Sequence, residues 1–299
     1  EINRIVPWGE WINLIQPCYY KGERGNKPYD LERMLRIYLV QNLYNLSDMG
    51  TVAEVIDSRA FSDFCGVESS NQVPDGDTLG RFRNLLIRNN LQEKLFTQVV
   101  ELLAQRGLIL KKGTIVDSTF IESPSSTKNQ KRQRDTEAHS AKKGNTWHFG
   151  YKAHIGVDSK SGLVHTVKVT AAHVHDVTVT SDLLTGEEEV VYGDSGYLGA
   201  DKRPEALKKN NKGKTIRYKI NRRPSASKNR SARSKAQIKR REHEKSSVRA
   251  KVEHVFAVVK QQLWFCKTRY RGLRKQIAKL NMMFALANLI LADRPCLAA

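Results

Sequence analysis

Residues 113–121 read GTIVDSTFI, and the organisation of the whole chain turns on them. Apolar and polar positions alternate through a β-branched stretch, the period of a half-buried strand. The residues before position 110 have a different period. Asp117 falls in the middle of this strand, among neighbours that read as buried. A carboxylate in such a place is costly unless it is hydrogen-bonded, ion-paired or on a metal.

Working back towards the start, residues 1–110 read as helical. WGEWINLIQPCYY is a short amphipathic segment, and DLERMLRIYLVQNLYNL (30–46) has an Asp start and a clear 3.6-residue period. TVAEVIDSRAFSDFCG gives one or two short helices stopped by Gly66. DGDTLGRFRNLLIRNN begins with Asp75 or Asp77 as N-cap, and LQEKLFTQVVELLAQRG ends at a Gly stop. This predicts an all-helical N-terminal domain, 1–110, for DNA-end binding, dimerisation or both. Its best local basic patch is Arg81, Arg83 and Arg88; an exposed helix face explains these arginines equally well.

Working forward, residues 125–145 are polar and basic without periodicity, and read as a loop. FGYKAHIGVD and GLVHTVKVTAA form a hairpin about SKSG, with Asp158 in its turn. HDVTVTSDLLTG reads as a short helix capped by Asp176. EEVVYGDSGYLG is a strand running into a Gly-flanked turn, with Glu187, Glu188 and Glu189 solvated before it. DKRPEALKKN reads as a helix, TIRYKI as a strand, 221–247 as a basic linker, and two helices close the chain. NMMFALANLILA (281–292) is too short to span a membrane and reads as a buried terminal helix. The order predicts an α/β domain over 111–299, a mixed sheet flanked by helices.

Composition narrows the function. Residues 1–110 hold 12 Lys/Arg against 14 Asp/Glu, whereas 111–299 hold 39 against 17, and 201–250 alone 19 against 4. Such an excess on one half points to a polyanionic partner, of which nucleic acid is the usual one. The four cysteines are scattered, with no C-x-x-C pair, which argues against a zinc ribbon or a disulfide framework and fits a reducing, cytoplasmic setting. No secretory signal pattern opens the chain, which begins at Glu1 as a shortened or processed N-terminus would.

The isolated acids then matter. Asp194 sits at a strand end between Gly193 and Ser195, where α/β sheets place their sites. In VRAKVEHVFAVVK (248–260), Val248, Val252, Val255 and Val259 share one helical stripe, and Arg249, Glu253 and Lys260 share another, roughly 110° away. Read alone, the second stripe is either a solvated face with an i,i+4 pair or the edge of a site. Asp117, Asp194 and Glu253 converging over one end of the sheet would bind hard divalent cations, and two metals can drive phosphodiester displacement.

Several motifs in order, GTIVDST, STKN, KKGNTWHFGYKAHIGVDSKSGLVHTV, HVHD, YGDSGY and VRAKVEHVFAVVK followed by RYRGL, resemble those of DDE transposases of the insertion-sequence-five family. The resemblance extends into the N-terminal VPDGDTLGRFR. It implies a ribonuclease-H-like catalytic fold, with Asp117, Asp194 and Glu253 as the three catalytic and metal-binding acids. It implies Mg²⁺ or Mn²⁺, two per active site, and double-stranded DNA as partner at both element ends and target. It implies a homodimer or higher synaptic assembly and a bacterial, nucleoid-associated protein with no membrane role. Arg249 and Lys260 match the basic positions of Y-x2-R-x3-E-x6-K and are expected at the element-end DNA; Ser246 stands where that pattern has Tyr.

The expected reaction is hydrolysis at terminal inverted repeats followed by attack of the freed 3′-hydroxyl on target DNA. The alternatives are a catalytically silent DNA-binding regulator derived from a transposase, or a nuclease without strand transfer. Arg222, Arg223, Arg240 and Arg241 are expected to hold DNA phosphates. Asp176 and His175 are candidates for supporting the carboxylates, and His173 with His175 has the spacing of a metal pair but no third ligand. Trp147 and Trp264 have the chemistry to stack on flipped bases, with core packing as the default reading.

Overall fold

The computed structural model describes residues 2–22, 27–130, 132–223 and 232–293. Its first half is helical: α1 (Ile2–Ile5), α2 (Trp8–Ile15), α3 (Leu31–Leu43), α4 (Asp48–Asp57), α5 (Arg59–Cys65), α6 (Gly76–Arg88) and α7 (Leu91–Gln105). The starts follow side-chain chemistry. Asp30 accepts the Arg33 N–H, Ser47 that of Gly50 and Asp75 that of Thr78, each satisfying an N–H that the helix leaves free. Gly66 ends α5 in the left-handed region, φ +64°.

The second half holds β1 (Gly113–Glu122), β2 (His139–Lys143), β3 (Thr146–Asp158), β4 (Val164–Ala171), β5 (Val190–Gly193), β6 (Arg217–Ile220), α8 (Ala232–Ala257) and α9 (Leu273–Ala292). The sheet runs β2–β3–β1–β5–β6, with β4 also on β3. β3 lies antiparallel to β1, β2 and β4, whereas β5 and β6 are parallel to β1. Successive antiparallel strands on one side of β1 and crossover-connected parallel strands on the other make the ribonuclease-H-like mixed sheet. Among the described residues no helix is long and apolar enough to cross a membrane.

Strand alternation divides the apolar residues between the two faces. Ile115, Ile121, Tyr151 and Ile155 join Val252 and Val255 of α8, Val259 just beyond it, the α9 residues and the N-terminal helices in one core. Val116, Val191 and Tyr197, on the other side, form a smaller cluster with Val179, Leu183 and Ile216. α9 is buried along most of its length, against α7 and β4. Asn288 fixes its register: the side-chain amide donates to the Val164 carbonyl (2.7 Å) and its oxygen accepts the Val164 N–H (2.8 Å). That satisfies the start of β4 with no further strand.

Five sequence expectations need correction. β2 lies inside the segment read as a loop; apart from half-buried Ala141 its residues are polar and exposed, so no alternation marked it, although Gly144-Asn145 is a hairpin turn signal. The linker 221–247 is α8 from residue 232 onward. This stretch is rich in Arg, Lys, Glu and Ala with no Gly or Pro, good helix formers that are polar all round and so show no period. The rest of it, 224–231, lies outside the described residues. No α-helix forms over 201–210, because Pro204 biases Arg203 to extended backbone (ψ 150°), leaving one 3₁₀ turn, Ala200–Lys202. β-branched Val177, Thr178, Val179 and Thr180 hold 175–186 to 3₁₀ turns. Glu188 is not solvated: it is fully buried and accepts from Thr185, Gly186 and Thr114.

The hydroxyl of Thr114 donates to Glu188 (3.1 Å), so it accepts from Nε2 of His165 (3.0 Å). Burial pushes the His165 pKa from 6.5 down to about 4, so the ring is neutral in the fold. A depressed histidine contributes stability above its unfolded pKa and loses it as pH falls through the folded value. Unfolding free energy is therefore expected to drop between pH 6.5 and pH 4, by about 3 kcal/mol from this residue. Denaturant titrations at several pH values check this: His165→Gln should flatten the slope, and an unchanged slope would assign it elsewhere.

Candidate functional site

The parallel pairing of β1 with β5 ends at Val116 opposite Gly193. The next residue on each strand is an aspartate, so Asp117 and Asp194 stand side by side. After Gly193 the chain leaves the sheet: Asp194 accepts the Gly196 N–H (2.8 Å) and caps the 3₁₀ turn Ser195–Tyr197. From Asp117 to Ile121, β1 has no strand neighbour on this edge among the described residues. The edge closes at Glu122, whose N–H donates to the Cys266 carbonyl (3.2 Å) and whose carbonyl accepts from Thr268 (2.7 Å). The acids thus head a notch in the sheet.

Asp117 is mostly buried, its side chain 13% exposed, and ion-paired with Arg249 of α8 at 3.1 Å. Its other oxygen accepts the Ser118 N–H (2.8 Å). Burial raises its pKa; Arg249 and the Ser118 N–H oppose the rise, and the nearby charge of Asp194 adds to it. Like charges close together favour a cation beside them, and Arg249 supplies one to Asp117.

A second layer lies behind the acids. Lys152 of β3 donates to Asp176 (3.0 Å) and to the Val174 carbonyl (2.8 Å). His154, fully buried, stands 3.7 Å from Asp176. Its Nε2 meets the Thr170 hydroxyl (2.8 Å), which itself donates to the Ala171 carbonyl, so Nε2 carries the proton and Nδ1 is left without a partner. Burial takes the His154 pKa down to about 4 against the pull of Asp176, so the ion pair is Lys152–Asp176 and the imidazole is neutral. The Tyr197 hydroxyl is buried without a hydrogen-bond partner; burial and then the charges of Asp176, Asp117 and Asp194 keep it protonated. A Cβ on Gly196 would lie 2.9 Å from Asp194 and 3.7 Å from Asp176, so a side chain there would crowd both carboxylates.

The remaining expected residues are distributed as follows. Glu253, one turn beyond Arg249, is exposed, with no hydrogen bond or ion pair among the described residues. No group of three or more acidic, histidine or cysteine side chains is gathered there closely enough to hold a metal ion, again among the described residues. Asp117 and Asp194 are brought together; Glu253 is not drawn in with them. Lys260 lies in a π-helical turn, Val258–Gln262, where burial, joined by the charge of Lys143, lowers the pKa of its amine. Arg81, Arg222, Arg223, Arg240 and Arg241 are exposed. Asp176 caps no helix, its carboxylate being taken by Lys152, and His175 is exposed. His173 packs against His139, ring centroids 4.2 Å apart and planes tilted by 46°, rather than pairing with His175. Trp147 and Trp264 are not core residues but exposed.

Arg83 departs most from its expected DNA-facing role. Its guanidinium makes a bidentate pair with Asp48 and lies 4.0 Å over the Tyr270 ring, with 13% of the side chain exposed. It joins the helical half to the segment before α9. Sequence reasoning also passed over Lys152, His154 and Tyr197. The signal was present, since YKAHIGV sets two polar residues on one face of an otherwise apolar strand.

Residues 110–289 match the model of the family described as transposase DDE domain, and residues 1–85 match that of a transposase domain (DUF772). The first match spans more than half of the chain, which therefore belongs to the transposase DDE domain family. Among solved structures the chain is similar to piggyBac transposase in a synaptic complex with hairpin DNA. That likeness has 12% sequence identity and a TM-score of 0.48, over 97% of this chain and 71% of the other.

Arg83→Ala is expected to cost about 2 kcal/mol, because it leaves Asp48 half-buried without its cation and removes a cation–π contact. Arg81→Ala, on the exposed side of the same helix, should leave stability unchanged. Urea unfolding of both variants checks this, and equal stabilities would return Arg83 to the surface.

Proposed function

We propose that the protein is a DNA transposase of the insertion-sequence-five family that cleaves element ends and joins the freed 3′-hydroxyl to target DNA. The observation that carries this reading is the pair Asp117 and Asp194, side by side at the head of an open sheet edge. Their donors are carboxylate oxygens, mutually repelling and partly desolvated, a set that suits a hard divalent cation such as Mg²⁺ or Mn²⁺. Glu253, on the helix that already reaches Asp117 through Arg249, would supply the third carboxylate by turning in from its exposed position. These acids would hold the metal ions, expected as two per site, whose chemistry would be activation of the attacking oxygen and charge stabilisation of the leaving one.

The chain's own residues do the rest. Arg249 neutralises Asp117 and lies about 6 Å along the helix from Glu253, in reach of a phosphate that its forked guanidinium can take bidentately. Lys260 holds flanking DNA. Lys152 and Asp176 fix the layer behind the carboxylates, and Tyr197 offers them a neutral hydroxyl. Exposed Arg222, Arg223, Arg240 and Arg241 bind the backbone of double-stranded DNA, so affinity falls steeply with salt. Residues 1–110 form the end-binding and dimerisation part, residues 111–299 the catalytic part, and the working form is a homodimer or larger synaptic assembly on bacterial nucleoid DNA.

A second reading has a specific observation in its favour. Arg249 clamps Asp117 while Glu253 stands apart, as in a DNA-binding regulator without cleavage. Incubating the protein with a labelled element-end duplex, target plasmid and Mg²⁺ separates the two. The transposase reading expects cut and joined products; Asp117→Ala, Asp194→Ala and Glu253→Ala should each abolish cutting with DNA binding largely intact. Binding by the wild type with no product in either Mg²⁺ or Mn²⁺ would establish the regulator instead. Arg249→Lys keeps the charge but loses the fork, and its cleavage rate at saturating DNA is expected to fall at least tenfold. A wild-type rate would make the Asp117 pair purely structural.

A further inference from the structure

α6 and α7 follow one another and both bury an apolar face, yet they present different side chains to solvent. α7 exposes Glu93, Lys94, Glu101 and Gln105, the mixed set of an ordinary solvated helix. α6 exposes Asp77, Arg81, Asn84 and Arg88. At 100° per residue these four fall within about 60° of one another, so they form a single ridge. Leu79, Phe82, Leu85 and Leu86 of the same helix are buried.

The ridge has no partner within the chain. Asp77 and Arg81 have the spacing of a helical ion pair but make none, and none of the four side chains has a hydrogen bond or ion pair among the described residues. Asp77 lies in the first turn, where a carboxylate suits the helix dipole. No such local reason covers Arg81, Asn84 and Arg88. Arg83 shows what an arginine of this helix does in a structural role: it turns inward onto Asp48 and Tyr270.

Behind the ridge α6 is firmly held. Arg83 ties its middle to the segment before α9, and Arg274 donates to the carbonyls of Ile87 (3.2 Å) and Arg88 (3.0 Å) at its end. Cations stand at both ends of the ridge. Beside the first turns, Tyr20, Lys21, Lys27, Thr78 and Arg81 line a groove of about 520 Å³. Asp75, which also borders it, is engaged by the Thr78 N–H (2.6 Å). At the other end, exposed Lys275 follows Arg274.

We infer that α6 enters the major groove of the DNA on which this protein acts, with Arg81, Asn84 and Arg88 reading base edges and Lys21, Lys27 and Lys275 on the flanking phosphates. This rests on the reading of the protein as acting on DNA. A helix with its side chains fits the major groove, roughly 12 Å wide. The arginine fork matches the two acceptors of guanine, and the asparagine amide matches the donor and acceptor of adenine. From Arg81 to Arg88 is about 10 Å along the axis, about three base-pair steps. Lysines hold the backbone as point charges and do not tell sequences apart. Residues 1–110 are nearly neutral, 12 Lys/Arg against 14 Asp/Glu, so this half adds little indiscriminate attraction and discriminates by hydrogen bonds.

The test uses the full chain and a pool of duplexes with a randomised central block; bound duplexes are recovered and sequenced. The wild type is expected to enrich a short run of base pairs. Arg81→Ala and Arg88→Ala should each relax one guanine of that run, and Asn84→Ala one adenine. Each should weaken the enriched duplex about tenfold and leave an unselected duplex unchanged. Lys21→Ala and Lys27→Ala should weaken every duplex alike and reduce the salt slope by about one. Urea midpoints of the three ridge variants should match the wild type. Wild-type binding without enrichment would overturn the inference, as would the same enrichment by a variant lacking all three ridge side chains. An equal loss on all duplexes would make the ridge a phosphate contact, and a large fall in the urea midpoints would make it structural; either result also overturns it. Failure of the wild type to bind any duplex would instead remove the DNA reading beneath it.

Discussion

The parallel pairing of β1 with β5 is the constraint on which the rest depends. It lasts only to Val116 and Gly193. Because it stops there, the next two residues, both aspartates, are set together beyond the last paired position. Because β5 then turns away, the edge of β1 beyond Asp117 is left open until the segment before α9 closes it at Glu122. A longer β5 would fill the notch, and a shorter one would leave Asp194 without its place beside Asp117.

Holding two acids together at the edge of a core creates an electrostatic problem, and the surrounding residues answer it in layers. Arg249 meets Asp117 directly. Behind them, Lys152 is buried on an apolar strand and takes Asp176 as its counter-ion. His154 stays neutral because burial outweighs that carboxylate. Unpaired buried charge would be strongly destabilising, whereas a hydrogen-bonded pair is tolerated. The buried Tyr197 hydroxyl stays protonated, through burial first and then the charges of Asp176, Asp117 and Asp194.

The helical half and the sheet share one core. α9 lies between α7 and β4, tied to β4 by Asn288 and to the β2–β3 region by the Glu137 carboxylate at Leu273. Arg83, Asp48 and Tyr270 add a polar joint across the same seam. Arginines that look exposed on a helical wheel were thus recruited inward, since a long stem can bury while its head finds an acid.

Much was legible in the order of residues. Strand alternation around Asp117, the caps at Asp30 and Asp75, Gly66 and the valine stripe beginning in α8 are local effects of backbone geometry and burial, and the sequence by itself determined them. It also determined the charge asymmetry and the isolation of the acids. β2 and the first half of α8 were not legible, because elements that are polar all round carry no periodic signal. Which polar side chains meet was decided only by the tertiary structure. Asp176 leaves a capping role for Lys152, Glu188 is buried on four donors, and Arg249 finds Asp117 from 132 residues away instead of Glu253 one turn along. Pairings of that kind depend on which surfaces the fold presses together and how far each charge is taken out of water, and neither quantity is written in local sequence.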